Sequence, residues 1–226
     1  DKCINKKFHW EDENVSREAL IKKLDHKIKV IPILDSKMHL IDVITKENLP
    51  EIEEMPVYAR SKSPVRISFG GGGSDLTHYF SQGIGAVINA TVSFYSHATL
   101  HIRPDSKIII HSLDLRSSLK ADNLEDCLNA KGQFGLIQAV IKTINPDFGF
   151  ELDLHSDFPM SSGLGGSAVV AAAILGCFNQ FRKDQWSLHE LSELAYQAER
   201  LYQGVEGGWQ DQYATIFGGF NFIEFK

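Results

Sequence analysis

Over residues 187–203, apolar side chains recur at helical spacing, at Leu188, Leu191, Leu194, Ala195, Ala198 and Leu201. Ser187 stands at the cap and Glu190 at the reciprocal capping position, so the stretch predicts an amphipathic helix. The same period predicts helices over 134–144 and 167–181, and a shorter one over 210–217. Apolar and β-branched runs predict strands at 65–69, 86–92, 97–103, 107–111 and 149–155, and a last one at 220–225 after Gly218-Gly219. Further upstream, residues 16–24 predict a short helix capped by Ser16, with Ala19, Leu20 and Leu24 as its apolar positions. Strand-like runs at 29–34 and 39–44 follow, joined by a turn at Asp35-Ser-Lys-Met38 whose Asp and Ser satisfy turn backbone locally. The Glu-, Pro- and Ser-rich stretch 47–64 reads as a linker. The pattern divides the chain into a segment-plus-linker, 1–55, and a domain, 56–226. Strands first and helices later predict an α+β fold, a mixed sheet with packed helices, rather than a doubly wound one.

The 226 residues suffice for one large domain or two small ones. At 43% apolar and 23% charged, the composition is that of a soluble globular protein. A net charge of −6 argues against a nucleic-acid partner, which needs a basic stripe. No apolar run is long enough to cross a bilayer, and the first residues do not form a signal peptide. Cys3, Cys127 and Cys177 have no metal-ligand spacing and cannot all pair, so reduced thiols and a cytoplasmic location are expected. The chain starts at Asp1 rather than Met, consistent with a piece of something longer.

The stretch Asp157-Phe-Pro-Met-Ser-Ser-Gly-Leu-Gly-Gly-Ser-Ala168 carries the strongest chemical signal. Its glycines let the backbone turn with N–H groups pointing inward, and the helix behind adds its unpaired N–H groups and the positive end of its dipole. Together these make an anion site suited to nucleotide phosphates. Ser167 stands where its hydroxyl can meet a magnesium ion or a phosphate oxygen. A Walker P-loop is excluded because no Gly-Lys-Ser/Thr follows. Gly163, Gly165 and Ala168 fit a dinucleotide fingerprint, but four residues separate the strand from the first glycine and a second helix follows the first. A bland glycine-rich helix start does not need three glycines and three serines in eight residues.

Four consecutive glycines, Gly70 to Gly73, close the predicted strand 65–69 ahead of Ser74 and Asp75. Such a turn lets a ligand approach the backbone and offers bare N–H donors to a substrate phosphate. Near the end of the chain, Asp211 opens the helix 210–217, where taken alone it reads as a cap.

"PMSSGLGGSAVVAAAILG" resembles the second signature of the galactokinase/homoserine kinase/mevalonate kinase/phosphomevalonate kinase superfamily, with Gly166 where that signature has a serine. "SPVRISFGGGGSDL" resembles its first signature, with Gly72-Gly73 replacing a Glu-His pair, and "AERLYQGVEGGWQDQ" its third. The wording of the three comes nearest to the D-glycero-D-manno-heptose 7-phosphate kinases, which phosphorylate the anomeric hydroxyl of a heptose phosphate on the way to nucleotide-activated heptose. The resemblance implies a superfamily N-terminal domain (ribosomal protein S5 domain 2-like), with ATP and Mg2+ as cofactors and a sugar phosphate as substrate. It implies that Pro159, Ser161, Ser162, Gly163, Gly165, Gly166, Ser167 and Ala168 hold ATP, and that Ser167 and Glu199 hold the metal. Asp211 is then the general base, with Arg66 offsetting developing charge. Gly71, Gly72, Gly73, Ser74, Asp75, His78, Gly208 and Gln212 are the substrate residues. Tyr79, His97, His101 and His111 are expected to have no special role. A homodimer and a fused or neighbouring nucleotidyltransferase are the implied partners. Kinases for fucose or galactose, or a non-catalytic regulator of the same fold, remain as alternatives. The helix and "IPILDSKMHLIDVIT" of the first region resemble half of a cystathionine-β-synthase (CBS) module, as a remnant or an exchange surface.

Overall fold

The computed structural model describes residues 8–15, 17–24, 28–49, 57–159 and 162–226. The chain divides into two compact units, Asp1–Glu54 and Met55–Lys226. The cap expected at Ser16 lies outside the described residues.

In the first unit, β1 (Glu11–Asp12), α1 (Arg17–Lys23), β2 (Val30–Leu34) and β3 (Leu40–Thr45) form a sheet of order β1-β2-β3 with one helix. β1 runs parallel and β3 antiparallel to β2. Alternation in β2 turns Ile31 and Ile33 inward onto Leu20, Leu24 and Ile44. The turn between β2 and β3 is held by Asp35, whose carboxylate accepts the N–H groups of Lys37 and His39. Leu40, Ile41 and Val43 of β3 are exposed.

The second unit runs β4 (Tyr58–Gly70), α2 (Thr77–Phe80), β5 (Gly85–Ile102), β6 (Ile108–Ser112), β7 (Ser117–Ala121), α3 (Leu124–Asn129), α4 (Gly135–Ile144) and β8 (Phe150–Ser156). It continues with α5 (Gly166–Asn179), α6 (Leu188–Gln197), a π-helical turn (Ala198–Tyr202), α7 (Gln210–Phe217) and β9 (Phe220–Phe225). The sheet has the order β4-β5-β8-β6-β7, with β9 also paired to β5. β6 and β8 are parallel and the other pairs antiparallel, which makes the sheet mixed as expected.

Three departures from the sequence pattern are informative. The expected strands at 86–92 and 97–103 are one 18-residue strand, β5, whose two halves serve different neighbours: Gly85–Ala90 pair with β9 and Ser96–Ile102 with β8. Residues 58–64, expected as linker, form the start of β4. Pro64 is accepted there because β4 is an edge strand and its register shifts between Pro64 and Val65, so no ladder bond is lost. The third is β7 with α2 and α3, short elements whose apolar positions are too few to show a period.

Leu100, Ile108, Ile110, Phe150, Leu152 and Leu154 from one face of the sheet pack with Ile137, Val140 and Ile141 of α4 and with α5. α5 is apolar on all sides and its small residues let it lie close to the sheet: a Cβ on Gly176 would stand 2.4 Å from Ser61 Oγ. Cys127 and Cys177 are buried free thiols, pushed up by burial to about 11 and about 12 respectively. Thiolate is the reactive form. A thiol reagent at neutral pH is therefore expected to leave Cys127 and Cys177 unlabelled, as read by peptide mass mapping, until denaturant is added; rapid labelling of either in the native protein would contradict this packing. Among the described residues, no helix is long and apolar enough to cross a membrane.

Candidate active site

The glycine-rich loop joins β8 to α5. Gly163 and Gly165 take left-handed φ values of 74° and 77°, which L side chains rarely adopt, and Gly165 is the N-cap of α5. No side chain caps α5, so its first N–H groups are left to an anion. Val65, Phe158 and Val169 pack beneath the loop with Leu164 and fix it on the sheet. Ser162, Gly163, Gly165, Gly166 and Ser167 line a cleft of ≈ 500 Å³. Leu115, Leu136, Ile137 and Val170 add apolar surface to the same lining. Ala168 is buried, Pro159 is exposed outside this lining, and Ser161 lies outside the described residues. The next element after α5 is α6, which disposes of the dinucleotide fingerprint.

A second cleft, ≈ 410 Å³, is lined by Arg66, Ser68, Gly72, Gly73, Asp75, Ser167, Glu199, Arg200, Gly208 and Asp211, among others. Ser167 belongs to both clefts. Asp211 Oδ1 accepts Arg66 Nε–H at 2.7 Å, and Arg66 Nη1 donates to the Gly163 carbonyl at 3.0 Å. One guanidinium thus ties the carboxylate to the glycine loop. The cap of α7 falls to another residue: Gln210 N–H donates to Asp75 Oδ2 at 3.0 Å, leaving Asp211 free of that duty.

Glu199 is 2% exposed and accepts hydrogen bonds from Ser167 Oγ and Gln212 Nε2. It makes no ion pair among the described residues. A buried, unneutralised carboxylate is costly, and an oxygen-only donor set beside an anion-binding helix start fits a hard cation such as Mg2+. Gln212 Oε1, buried and without a hydrogen-bond partner among the described residues, adds a further oxygen nearby. The expected regular helix 187–203 changes form here: Ala198–Tyr202 is a π turn closed by Gln203 N–H to Ala198 O. The extra residue per turn points Glu199 inward while Arg200 reaches the following loop.

The glycine turn after β4 is braced from behind. Ser74 Oγ donates toward Gly71 O and Ala86 O, and Asp75 Oδ1 accepts Gly73 N–H at 3.0 Å. A Cβ on Gly71 would stand 1.9 Å from Ala86 O, so packing alone requires glycine at this position. Asp75 is 7% exposed with both oxygens engaged by backbone amides, a support for the cleft. His78 sits exposed on α2 outside the cleft lining, and the structure does not bring it to the site.

Two groups went unnoticed in the sequence. Arg200 donates to the carbonyls of Val205 and Gly208 at 3.0 Å each, and its buried Nε has no partner among the described residues. Asp114, lining the first cleft, accepts the N–H and hydroxyl of Ser156. Asp114 lies in no motif; Arg200 lies within AERLYQGVEGGWQDQ, where its place beside Glu199 was the only signal.

Residues 134–219 match the sequence family described as the GHMP kinases N terminal domain. A D-glycero-alpha-D-manno-heptose 7-phosphate kinase of Campylobacter jejuni is 39% identical over 171 residues, 74% of this chain and 50% of that protein. An L-fucokinase/L-fucose-1-P guanylyltransferase of Bacteroides fragilis is 27% identical, over 72% of this chain and 20% of its own. The crystal structure of a D-glycero-D-manno-heptose 1-phosphate kinase from Bacteroides thetaiotaomicron superposes with a TM-score of 0.67 at 34% identity, over 74% of this chain and 56% of that one. The chain spans about half the length of the two heptose kinases it matches. With the family match running from α4 through the glycine loop to α7, and the same fold in a relative of this identity, the chain belongs to the GHMP kinase superfamily.

Proposed function

We propose that the protein of which this chain is part transfers the γ-phosphate of ATP to a hydroxyl of a sugar phosphate, the anomeric hydroxyl of D-glycero-D-manno-heptose 7-phosphate. The observation that carries the reading is the shared wall. Ser167 borders both the cleft formed by the glycine loop and the cleft holding the Asp211–Arg66 pair. A triphosphate lying along the loop would end where a hydroxyl in the second cleft meets Asp211. Such transfer depends on positioning and electrostatics, with little covalent chemistry for the protein to do.

The loop N–H groups and the start of α5 bind phosphate, Asp211 takes the acceptor proton, and Arg66 holds Asp211 in place and offsets charge. Ser167 and Glu199 would hold Mg2+, which when bound neutralises charge on the phosphates. A phosphorylated acceptor is favoured by Arg200, a cation of the second cleft with no ion pair among the described residues. The name of the Bacteroides fragilis relative couples a sugar kinase to a guanylyltransferase, which supports a nucleotidyltransferase as the enzyme that uses the product.

Glu199→Gln keeps the shape and the bond to Ser167 but removes the charge. It is expected to raise the Mg2+ concentration for half-maximal rate by about 10–100-fold, the range typical of weakened metal sites; an unchanged Mg2+ dependence would remove Glu199 from the metal site. The reading as a whole is tested by ADP release from the full-length protein with MgATP and, in parallel, heptose 7-phosphate, galactose, fucose and mevalonate. Turnover with the heptose phosphate alone is expected. Turnover with another acceptor would discard the substrate, and silence on all four with ATP still bound would favour a non-catalytic regulator.

A further inference from the structure

On the sheet face opposite α4 and α5, β8 presents Glu151, Asp153 and His155, alternating with the buried Leu152 and Leu154. Asp157 continues the row, because its N–H still pairs with the Tyr95 carbonyl. β5 sets His97 directly opposite His155, and the two imidazoles stack at 4.5 Å with 4° between their planes. His97 Nε2 lies 3.2 Å from Asp157 Oδ2, and one donor atom from each of His97, His155 and Asp157 falls within 4.8 Å of the others. Asp157 is oriented by a second contact, accepting Tyr95 N–H at 3.1 Å.

We propose that His97, His155 and Asp157 form a binding site for a divalent transition-metal ion of the zinc class. Two imidazoles and a carboxylate are a donor set that Zn2+, Co2+ and Ni2+ accept, with a further position left for water. Ligand atoms sharing one such ion stand roughly 3.4 Å apart for bonds of about 2.1 Å. The stacked rings of half-buried His97 and exposed His155 would turn toward one another for their nitrogens to converge on it. Mg2+ and Ca2+, which prefer oxygen alone, are poor occupants. A bound ion would clamp β5 to β8 where β8 runs into the glycine loop, two residues before Pro159. The site is separate from the Mg2+ ligands Ser167 and Glu199, and the proposal stands whether or not the kinase reading does. A neighbouring group, His111, Glu151 and Asp153, offers one imidazole. It is less suited, because it has a single imidazole and Arg103 Nη1 lies 4.0 Å from Glu151.

The test uses tag-free, chelator-stripped full-length protein, titrated with Co2+ and followed by its visible d–d absorption. The expected result is one Co2+ per chain in a four- or five-coordinate spectrum, displaced by Zn2+ and not by Mg2+. Affinity should fall at least about tenfold in the His97→Gln/His155→Gln double variant and stay unchanged in His111→Gln. If the double variant fails to fold, His155→Gln alone, at an exposed position, carries the test with the same expected loss. Absence of a Co2+ spectrum in the unsubstituted protein, equal affinity in the double variant (or in His155→Gln alone), or loss of binding in His111→Gln would overturn the proposal.

Discussion

Replacing Asp211 with alanine is expected to lower kcat of the full-length enzyme by about 10²–10⁴-fold, the range over which a positioned general base accelerates proton transfer. The carboxylate is well placed for that role. It opens α7, yet the capping contact is made by Asp75, and its own partner is a cation rather than a backbone amide. Removing it leaves the glycine loop, Ser167 and Glu199 in place, so the KM for ATP should change little. A modest loss of folding stability should accompany the substitution, because the Arg66–Asp211 pair is part-buried and its removal leaves the Arg66 guanidinium without that ion pair. Steady-state kinetics together with a melting curve separate these outcomes. A variant with near-normal turnover would remove Asp211 from the chemistry, and one with a collapsed melting temperature would make it structural.

Gly208→Ala should act on the acceptor side with comparable force. A Cβ at this position would stand 1.9 Å from Asp75 Oδ2 and 2.8 Å from Oδ1. Asp75 cannot yield without cost, since the same carboxylate holds Gly73 N–H in the glycine turn and Gln210 N–H at the start of α7. Both walls of the second cleft are therefore expected to shift, and Asp211, next to Gln210, shifts with them. Misplacement by about 1 Å typically costs on the order of 10²-fold. We expect that loss in kcat/KM for the acceptor, with nucleotide binding at the loop retained. Gly83→Ala, where an added Cβ meets nothing within 4 Å, is the control and should behave as the unsubstituted protein. Equal acceptor kinetics in the two variants would show that the Asp75 clamp does not shape the cleft.

Much of this site was legible because it is local. The glycine loop, the helix behind it and the Gln210–Phe217 helix each depend on neighbouring residues, and the structure forms all three where the periodicity puts them. What was not legible depends on partners far along the chain. Asp75 and Gln210 are 135 positions apart, so nothing near Asp75 reveals that its carboxylate caps α7. β5 looks like two strands because its halves bury different residues against β8 and β9, which breaks a single alternation. The π turn at Ala198–Tyr202 is invisible to a 3.6-residue period, and with it the inward aim of Glu199 and the reach of Arg200 to Gly208. His78, close to Asp75 in sequence, lies outside the lining of the second cleft.

The most direct test of the central claim is the fate of the transferred phosphate. The full-length protein is incubated with MgATP and D-glycero-D-manno-heptose 7-phosphate, and the product is examined by phosphorus NMR. The account predicts a new phosphomonoester signal coupled to the anomeric proton, appearing in step with ADP. Release of inorganic phosphate in its place, or a new ester on any other carbon, would contradict it.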